Sequence, residues 1–375
     1  MRIAALKERA AGESRVAVTP ETVKKFIALG ATVAVEAGAG VAASISDEAY
    51  RDAGAAVAPA GAVTEKADIV LGVQAPDVAD ISNAGEGAWV AATFDPVGKK
   101  DRVEAYAGAG LEALSMEFMP RITRAQSMDV LSSQSNLAGY KAVLACADEF
   151  GRAFPMMMTA AGTITAAKCF VMGVGVAGLQ AIATAKRLGA QVSATDVRSA
   201  TKEQIESLGA KAVFVEDVAG IEGEGSGGYA TEMSEEYQKA QAELVSSHIA
   251  KQDIVITTAL IPGRAAPRLI SDAQIATMKR GSVIFDLAVA QGGNVEGSVA
   301  DQIVEKHGVK IIGFSNTPSH LAADASALFA RNLYNFLSAF WDEEAGKPIL
   351  DEEIGDAIRL TQGGKVVNER LLENG

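Results

Sequence analysis

The sequence has 375 residues, of which 49% are hydrophobic and 22% charged, and its formal net charge is −13. This composition is typical of a folded soluble protein, and the length favours two domains over one. The acidic balance argues against nucleic acid, and against an anionic membrane surface, as a general partner.

The N-terminal residues become charged too early for a targeting signal, and no segment has the ~20 consecutive apolar residues of a membrane helix. We therefore predict a cytoplasmic protein that does not itself insert into the membrane. Its two cysteines, Cys146 and Cys169, lie in apolar surroundings without the spacing of metal ligands. They are interpreted as buried thiols, and no metal site is predicted.

Strands alternate with helices through the first 115 residues, which is typical of an α/β domain. Thr19 and Pro20 form a helix start, with Thr19 as the N-cap. Apolar runs predict strands at residues 1–6, 31–36, 69–73, 88–93 and 111–115, and periodicity predicts helices at 21–29, 46–53 and 99–109.

Residues 119–135 differ from what precedes them, because they are polar and irregular. They contain Arg121, Gln126 and Asp129, and a predicted amphipathic helix at 136–150 follows. A polar segment of this kind lines a cleft in some proteins and is a solvated, locally capped loop in others. Composition alone leaves both interpretations open.

The most informative stretch is 168–196, which reads as strand, glycine turn, helix and strand. Gly173, Gly175 and Gly178 form G-x-G-x-x-G after an apolar strand, with Val176 and Ala177 inside the motif. In this context the pattern is the dinucleotide-binding fingerprint. It predicts a pyrophosphate site at the start of the following helix.

Asp196 ends the second strand of this unit, about 20 residues after the glycines, and Val197 and Arg198 follow it. A carboxylate at this position accepts hydrogen bonds from the adenosine ribose and repels a 2′-phosphate, so NAD(H) is favoured over NADP(H). Arg198 leaves two alternatives, because it could serve a 2′-phosphate or pair with Asp196.

Beyond Asp196 the alternation continues, so the second domain is also α/β. The strand at residues 253–258 leads into Ala259 and Leu260, which should lie at the same sheet edge as the glycine turn. The glycine-rich and acidic segment 217–231 contains Tyr229 and is predicted to be a mobile excursion. A long helix at 324–341 should return to the first domain, and the charged residues after it are expected to be peripheral.

Several motifs together are similar to the alanine dehydrogenase and transhydrogenase superfamily. They are RVAVTPE at 15–21, VMGVGVAGLQAIATAKRLGA at 171–190 and DLAVAQGGN at 286–294. The stretch MPRITRAQSMDVLSSQSNLAGYKAV, with RAFPMMMTAAGT and ITTALIPG, resembles the NAD(H)-binding component of the proton-translocating, Re/Si-specific transhydrogenases. The resemblance extends from Met1 to about Trp341.

The resemblance also sets this chain apart from the dehydrogenase branch. Alanine dehydrogenases use a lysine where this chain has Gln74, a histidine on the strand equivalent to residues 88–93, and an aspartate at the position of Ala290. Arg15 remains, but the other substrate-handling side chains are missing. Direct hydride transfer between two nicotinamides requires proximity and orientation rather than a side-chain proton relay.

By resemblance, Arg121, Gln126, Asp129 and Ser132 line the nicotinamide end of bound NAD(H), with Gln126 presenting the ring. The pyrophosphate and adenosine ribose are expected at the glycine turn and Asp196. Tyr229, with Ala230 and Met233, resembles a mobile loop that closes over the nucleotide.

The family implies a homodimer, which the helix after Asp324 could help to form. It also implies an NADP(H)-binding subunit and a membrane proton-channel subunit as partners, so the location is cytoplasmic and peripheral to the inner membrane. The expected function is hydride transfer from NADH to NADP+ on the partner, coupled to proton translocation. The alternatives are an NAD-dependent alanine dehydrogenase and a non-catalytic NAD(H) sensor.

The expected fold is α/β, with two Rossmann-like domains whose parallel sheets are separated by a cleft and joined by long helices. Residues 1–132 plus 320–375 are assigned to the first domain. Residues 133–319 are assigned to the NAD(H)-binding domain.

Overall fold

The computed structural model describes residues 1–215, 235–261 and 264–372. It divides into two compact units, Met1–Gln134 with Ser319–Gly375 and Ser135–Pro318. The predicted mobile segment, with Tyr229, Ala230 and Met233, lies outside the described residues. No helix in the described ranges has the length and apolarity needed to cross a membrane.

The first unit begins with strands and helices in alternation. Its strands are β1 (Arg2–Ala5), β2 (Thr32–Glu36), β3 (Ala56–Ala58), β4 (Ile69–Gln74), β5 (Trp89–Thr93) and β6 (Glu112–Ser115). Its first helices are α1 (Pro20–Ala28), α2 (Asp47–Asp52), α3 (Ala60–Thr64) and α4 (Lys100–Gly108). The strands form a parallel sheet in the order β3-β2-β1-β4-β5-β6. Thr19 caps α1, as predicted, by accepting from the backbone N–H of Thr22.

Helix α5 (Val130–Glu149) begins six residues earlier than predicted. The polar run Ser-Ser-Gln-Ser obscured this start, because serine and glutamine interrupt the apolar period. The Asp129 carboxylate accepts from the backbone N–H of Ser132 at 2.9 Å, which satisfies a donor in the first helical turn. Thr123–Met128, directly before, is a 3-10 helix rather than an irregular loop.

The strands of the second unit begin with a short exposed hairpin and continue into a large sheet. They are β7 (Met157–Thr159), β8 (Gly162–Ile164), β9 (Lys168–Met172), β10 (Gln191–Thr195), β11 (Lys211–Ala212), β12 (Ile254–Thr257), β13 (Val283–Asp286), β14 (Gln302–Lys306) and β15 (Val309–Gly313). Its helices are α6 (Val176–Arg187), α7 (Thr201–Ser207), α8 (Glu235–Ile249) and α9 (Asp272–Ile275).

The sheet order is β11-β10-β9-β12-β13-β15-β14, and only the β14–β15 pair of these described strands is antiparallel. The chain leaves β9 towards β10 on one side and later returns as β12 on the other side. This reversal is the topological switch point at which α/β sheets bind ligands. The predicted fold class, two α/β domains with parallel sheets, is therefore confirmed.

A tight helix contact supports the glycine turn in the second unit. A Cβ on Gly139 of α5 would lie 2.0 Å from the carbonyl oxygen of Ala177 in α6. Only glycine allows the two backbones this close. Cys146 and Cys169, both buried as predicted, lie in the same apolar core.

The C-terminal part of the first unit contains three helices and two short hairpins, α10 (Ala322–Ala339), β16 (Trp341–Asp342), β17 (Lys347–Pro348), α11 (Glu352–Ile358), β18 (Thr361–Gln362), β19 (Lys365–Val366) and α12 (Glu369–Leu372). Phe329, Leu333 and Phe336 of α10 are buried in the core of the first unit. Because that apolar face is already covered, the suggestion that α10 forms a dimer interface with it is wrong.

The residues after 341 are not peripheral, contrary to the expectation from their charge. Ile354, Ile358 and Leu360 are fully buried. The backbone N–H of Leu360 donates to the carbonyl of Ala113 at 2.8 Å, and the hydroxyl of Thr361 donates to the carbonyl of Leu111 at 2.7 Å. This segment covers the edge strand β6, which would otherwise present unpaired backbone groups.

Candidate nucleotide-binding site

The glycine turn between β9 and α6 has a separate constraint at each glycine. Gly173 has a φ of +95°, which favours glycine, and a Cβ there would lie 2.6 Å from Oγ1 of Thr258. A Cβ on Gly178 would lie 1.9 Å from the carbonyl oxygen of Gly173. At Gly175, by contrast, no atom of the described residues lies within 4 Å of an added Cβ. The first and third glycines therefore shape the turn, and the second leaves space above it.

Gly175 is the N-cap of α6, and Val176 is its first residue. No described side chain caps the backbone N–H groups of this first turn. Gly175 and Val176 are exposed and Ala177 is half-buried, so these donors lie near solvent. A helix start of this kind binds anions through its N–H groups and its dipole.

Asp196 is buried beside this turn and accepts four hydrogen bonds. One oxygen accepts from the backbone N–H of Val174 at 2.6 Å and from Nη2 of Arg198 at 2.9 Å. The other accepts from the backbone N–H and from Nε of Arg198, both at 2.9 Å. Burial opposes ionisation, but these hydrogen bonds outweigh it and hold the pKa of Asp196 below its ordinary value.

Of the two alternatives for Arg198, the structure therefore has the pairing with Asp196. Val197, between them, is half-buried. The four donors fill the approximately four lone-pair sites of the carboxylate. A ribose hydroxyl that bonds Asp196 must then share an acceptor site or displace Arg198.

Ala259 and Leu260 follow β12 on the other side of the glycine turn. The hydroxyl of Thr258, just before them, donates to the carbonyl of Gly173 at 2.9 Å. The backbone N–H of Ala259 donates to Oδ1 of Asn294 at 3.1 Å, and Nδ2 of Asn294 donates back to the carbonyl of Ala259 at 2.9 Å. Leu260 is exposed.

The other predicted site residues lie in the first unit. Arg121 and Gln126 are exposed, whereas Asp129 and Ser132 are half-buried. The hydroxyl of Ser132 donates to Oδ2 of Asp129 at 2.6 Å, in addition to the backbone hydrogen bond at the start of α5.

Helix α10 holds the 3-10 helix that carries Gln126. The side-chain amides of Asn332 and Asn335 both donate to the carbonyl of Ser127, at 2.8 and 3.1 Å. Arg124 pairs with Asp351 and Glu353, so its guanidinium supports the local fold.

Arg15 is buried and fully engaged within the first unit. Its Nε and Nη2 donate to the two carboxylate oxygens of Glu13, both at 2.7 Å, and Nη1 donates to Oε1 of Gln134 at 2.9 Å. The amide of Gln74 donates to the same Glu13 carboxylate at 3.2 Å. Burial raises the pKa of the neighbouring Glu8 to about 7.

Two family models match the chain. The N-terminal domain of alanine dehydrogenase/PNT matches residues 4–138, and the C-terminal domain of alanine dehydrogenase/PNT matches residues 142–369. The chain belongs to the alanine dehydrogenase/PNT family. The resemblance stated from the sequence motifs is thereby confirmed.

Within this family, the most similar relatives carry transhydrogenase names. The chain is 53% identical over 383 residues to the first of the polypeptides that make up NAD(P) transhydrogenase subunit alpha in Rhodospirillum rubrum, with 100% of both chains covered. It is 47% identical to the protein of the same name from Rickettsia prowazekii, covering 100% of this chain and 98% of the relative. The crystal structure of transhydrogenase from Sinorhizobium meliloti matches with a TM-score of 0.89 and 53% identity, covering 98% of this chain and 100% of that chain.

Asn294 is the residue of the glycine-turn region that the sequence reasoning missed. It lies in the motif DLAVAQGGN, which indicated the family and a turn but no role for the individual side chain. Its hydrogen bonds to Ala259 span 35 residues of sequence, so no local pattern pointed to them.

Proposed function

We propose that this member of the alanine dehydrogenase/PNT family binds NAD(H) and transfers its hydride directly to NADP+ held by a partner subunit. The proposal rests on one observation above all. The dinucleotide fingerprint, with its glycine contacts and its buried Asp196, occurs in a chain that matches the Rhodospirillum rubrum subunit over its full length.

In this proposal the second unit holds the nucleotide. Gly173, Gly175 and Gly178, with the N–H groups of Val176 and Ala177, bind the pyrophosphate. Asp196, with Val197 and Arg198 beside it, binds the adenosine ribose, and the preference for NAD(H) over NADP(H) follows from its negative charge. Ala259 and Leu260 contact the part of the nucleotide that extends past β12. Tyr229, outside the described residues, would close over it.

Arg121, Gln126, Asp129 and Ser132 are proposed to serve the nicotinamide end. The Asp129–Ser132 pair gives the start of α5 a defined geometry, and α10 fixes the 3-10 helix that carries Gln126. The nicotinamide ring supplies the hydride, so that NADH and NADP+ give NAD+ and NADPH. The side chains need only orient the ring, since no proton enters or leaves this step.

The alanine dehydrogenase alternative is disfavoured by the surroundings of Arg15. A dehydrogenase needs a cation for the carboxylate of its substrate and an acid–base group for the proton. Here the guanidinium donates to Glu13 and Gln134, and Gln74 stands where that branch has a lysine. A non-catalytic NAD(H) sensor would bind the nucleotide but exchange hydride with no partner.

Mixing this protein with the NADP(H)-binding subunit of a transhydrogenase tests the proposal. We expect NADH binding, reduction of an NADP+ analogue when both proteins are present, and no NADH oxidation with pyruvate and ammonia. NADH oxidation with pyruvate and ammonia would support the dehydrogenase. Binding without exchange would support the sensor.

Gln126→Asn should slow hydride exchange about 10- to 100-fold, because a displacement of about 1 Å in the reacting geometry has this effect. NADH affinity should stay within about threefold, since the pyrophosphate and adenosine contacts provide most of it. Stopped-flow exchange and fluorescence titration measure the two quantities. Ser127→Ala, in the same 3-10 helix with an exposed side chain, is the matched control. Unchanged exchange in Gln126→Asn would remove Gln126 from this role.

A homodimer is also part of the proposal, and the hairpin of β7 and β8 is the surface that we assign to it. Met156 and Met158 are 61% and 80% exposed, and Ile164 on the facing strand is also exposed. Large apolar side chains clustered on an exposed hairpin favour a protein contact. A second copy of this chain is the proposed occupant, because the family implies a homodimer and the apolar face of α10 is already buried.

Met158→Glu should therefore convert a dimer to a monomer in sedimentation velocity, without lowering the unfolding midpoint. Placing a charge in an apolar interface costs several kcal/mol, whereas the same charge on an exposed surface changes stability by no more than about 0.5 kcal/mol. Val41→Glu, at another exposed apolar residue, is the control and should leave the dimer intact. A Met158→Glu variant that stays dimeric would exclude the hairpin.

The remaining partners follow from the names of the relatives. A chain similar to one portion of the alpha subunit is proposed to assemble with an NADP(H)-binding subunit and with a membrane subunit that conducts protons. Coupling to proton translocation would then occur through these partners, with this chain cytoplasmic and peripheral to the inner membrane.

A further inference from the structure

Asn294 is fully buried, and its side chain uses its hydrogen-bonding groups on backbone atoms of another segment. Oδ1 accepts from the N–H of Ala259 at 3.1 Å, and Nδ2 donates to the carbonyls of Ala259 at 2.9 Å and Pro267 at 2.8 Å. One amide thus pairs with both backbone groups of Ala259, as a neighbouring strand would. It fixes the position of the chain just after β12.

A buried carboxylate holds Asn294 itself. Asp286, at the end of β13, is fully buried. It accepts from the backbone N–H groups of Ala288 at 3.0 Å and of Asn294 and Val295, both at 3.2 Å. Hydrogen bonds to a charged acceptor are stronger than those between neutral groups. The segment that carries Asn294 is therefore anchored to the sheet at both oxygens of one side chain.

The same network reaches the glycine turn. Thr258, next to Ala259, donates through its hydroxyl to the carbonyl of Gly173 at 2.9 Å. That carbonyl is also the atom that lies 1.9 Å from an added Cβ on Gly178. The contacts thus run from Asp286 through Asn294, Ala259 and Thr258 to the turn. They join the ends of β13, β12 and β9, which are adjacent in the sheet.

We propose that Asn294 is a positioning residue for bound NAD(H), because it holds Ala259 and Leu260 at the β12 side of the glycine turn. The inference rests on the proposed function. Asp196 lies at the end of β10, on the opposite side of β9 from β12. With the adenosine on the β10 side, the nicotinamide half of the nucleotide extends past β12. Asn294 therefore acts on the nicotinamide half and leaves the adenosine half unaffected.

Asn294→Ala tests this inference by comparing two ligands, NADH and ADP. ADP carries the adenosine and pyrophosphate and lacks the nicotinamide half. We expect the Kd of NADH to rise about tenfold or more, on the scale of a lost supporting residue, and the Kd of ADP to stay within about twofold. Isothermal titration of the full chain with each ligand measures both. A uniform structural loss would weaken both ligands equally and would overturn the inference, as would an unchanged NADH affinity.

Two further variants make the result decisive. Gln252→Ala removes a buried amide that donates to the carbonyl of His248 at 3.2 Å, just before the other end of β12. It should lower the unfolding midpoint without changing the ratio of the two Kd values. Asn294→Asp keeps an acceptor for Ala259 and loses both donors, so the Kd ratio should lie between wild type and Asn294→Ala, and it serves if the alanine variant does not fold. Failure of the wild type to bind NADH would instead contradict the proposed function.

Discussion

Gly178→Ala should weaken NADH binding by at least about 100-fold and lower the midpoint of thermal unfolding. A Cβ at this position would lie 1.9 Å from the carbonyl oxygen of Gly173, so the backbone of the turn or the start of α6 must move. Overpacking of this kind costs about 1–3 kcal/mol or more, which lowers the midpoint by several degrees in a domain of this size. The displaced N–H groups are those that the pyrophosphate needs. Titration with NADH and differential scanning calorimetry measure the two effects.

Gly108→Ala is the matched control for this substitution. Gly108 ends helix α4, is exposed, and has no described atom within 4 Å of an added Cβ. Alanine is favoured over glycine in a helix by about 0.5–1 kcal/mol, so this variant should be as stable as wild type or slightly more stable. If Gly178→Ala bound NADH within about threefold of wild type, the close contact inside the turn would not be required for the site.

The elements around the fingerprint could be predicted from the sequence because each signal there is local. The strands β9 and β10 have the predicted bounds, since each is an apolar run ended by a glycine or an acid. The pairing of Arg198 with Asp196 was one of two alternatives, and their spacing of two residues on an extended chain allowed it. Short-range chemistry of this kind is visible in one sequence.

Where the sequence failed, distant contacts decide the structure. Helix α5 starts at Val130 although Ser132 and Ser133 follow, and the hydroxyl of Ser133 donates to Oδ1 of Asn332 at 2.7 Å, 199 residues away. The charged C-terminal residues are held by backbone groups of the edge strand β6 and of the residue before it.

Asn294 is the most instructive failure. Its neighbourhood reads as a glycine turn, and its partners come from Ala259, Pro267 and Asp286, on segments that meet only when the sheet forms.

Gly175→Ala should separate ligand binding from folding, which the substitution at Gly178 cannot do. Gly175 has a φ of −78°, which any residue adopts, and no described atom lies within 4 Å of its added Cβ. The unfolding midpoint should therefore stay within about 1 °C of wild type, because surface substitutions of this kind change stability by no more than about 0.5 kcal/mol. The methyl group would nevertheless occupy the surface on which the pyrophosphate approaches the backbone.

We expect the Kd of NADH to rise about 10- to 100-fold in Gly175→Ala, the equivalent of roughly 1–3 kcal/mol of steric overpacking. ADP shares the pyrophosphate, so its Kd should rise by the same factor. Asn294→Ala should give the opposite pattern, with NADH weakened and ADP unchanged. The two variants together assign the turn to the pyrophosphate and the end of β12 to the nicotinamide half. If Gly175→Ala kept both affinities, the phosphate would not lie at this helix start, and the binding mode proposed for the second unit would be wrong.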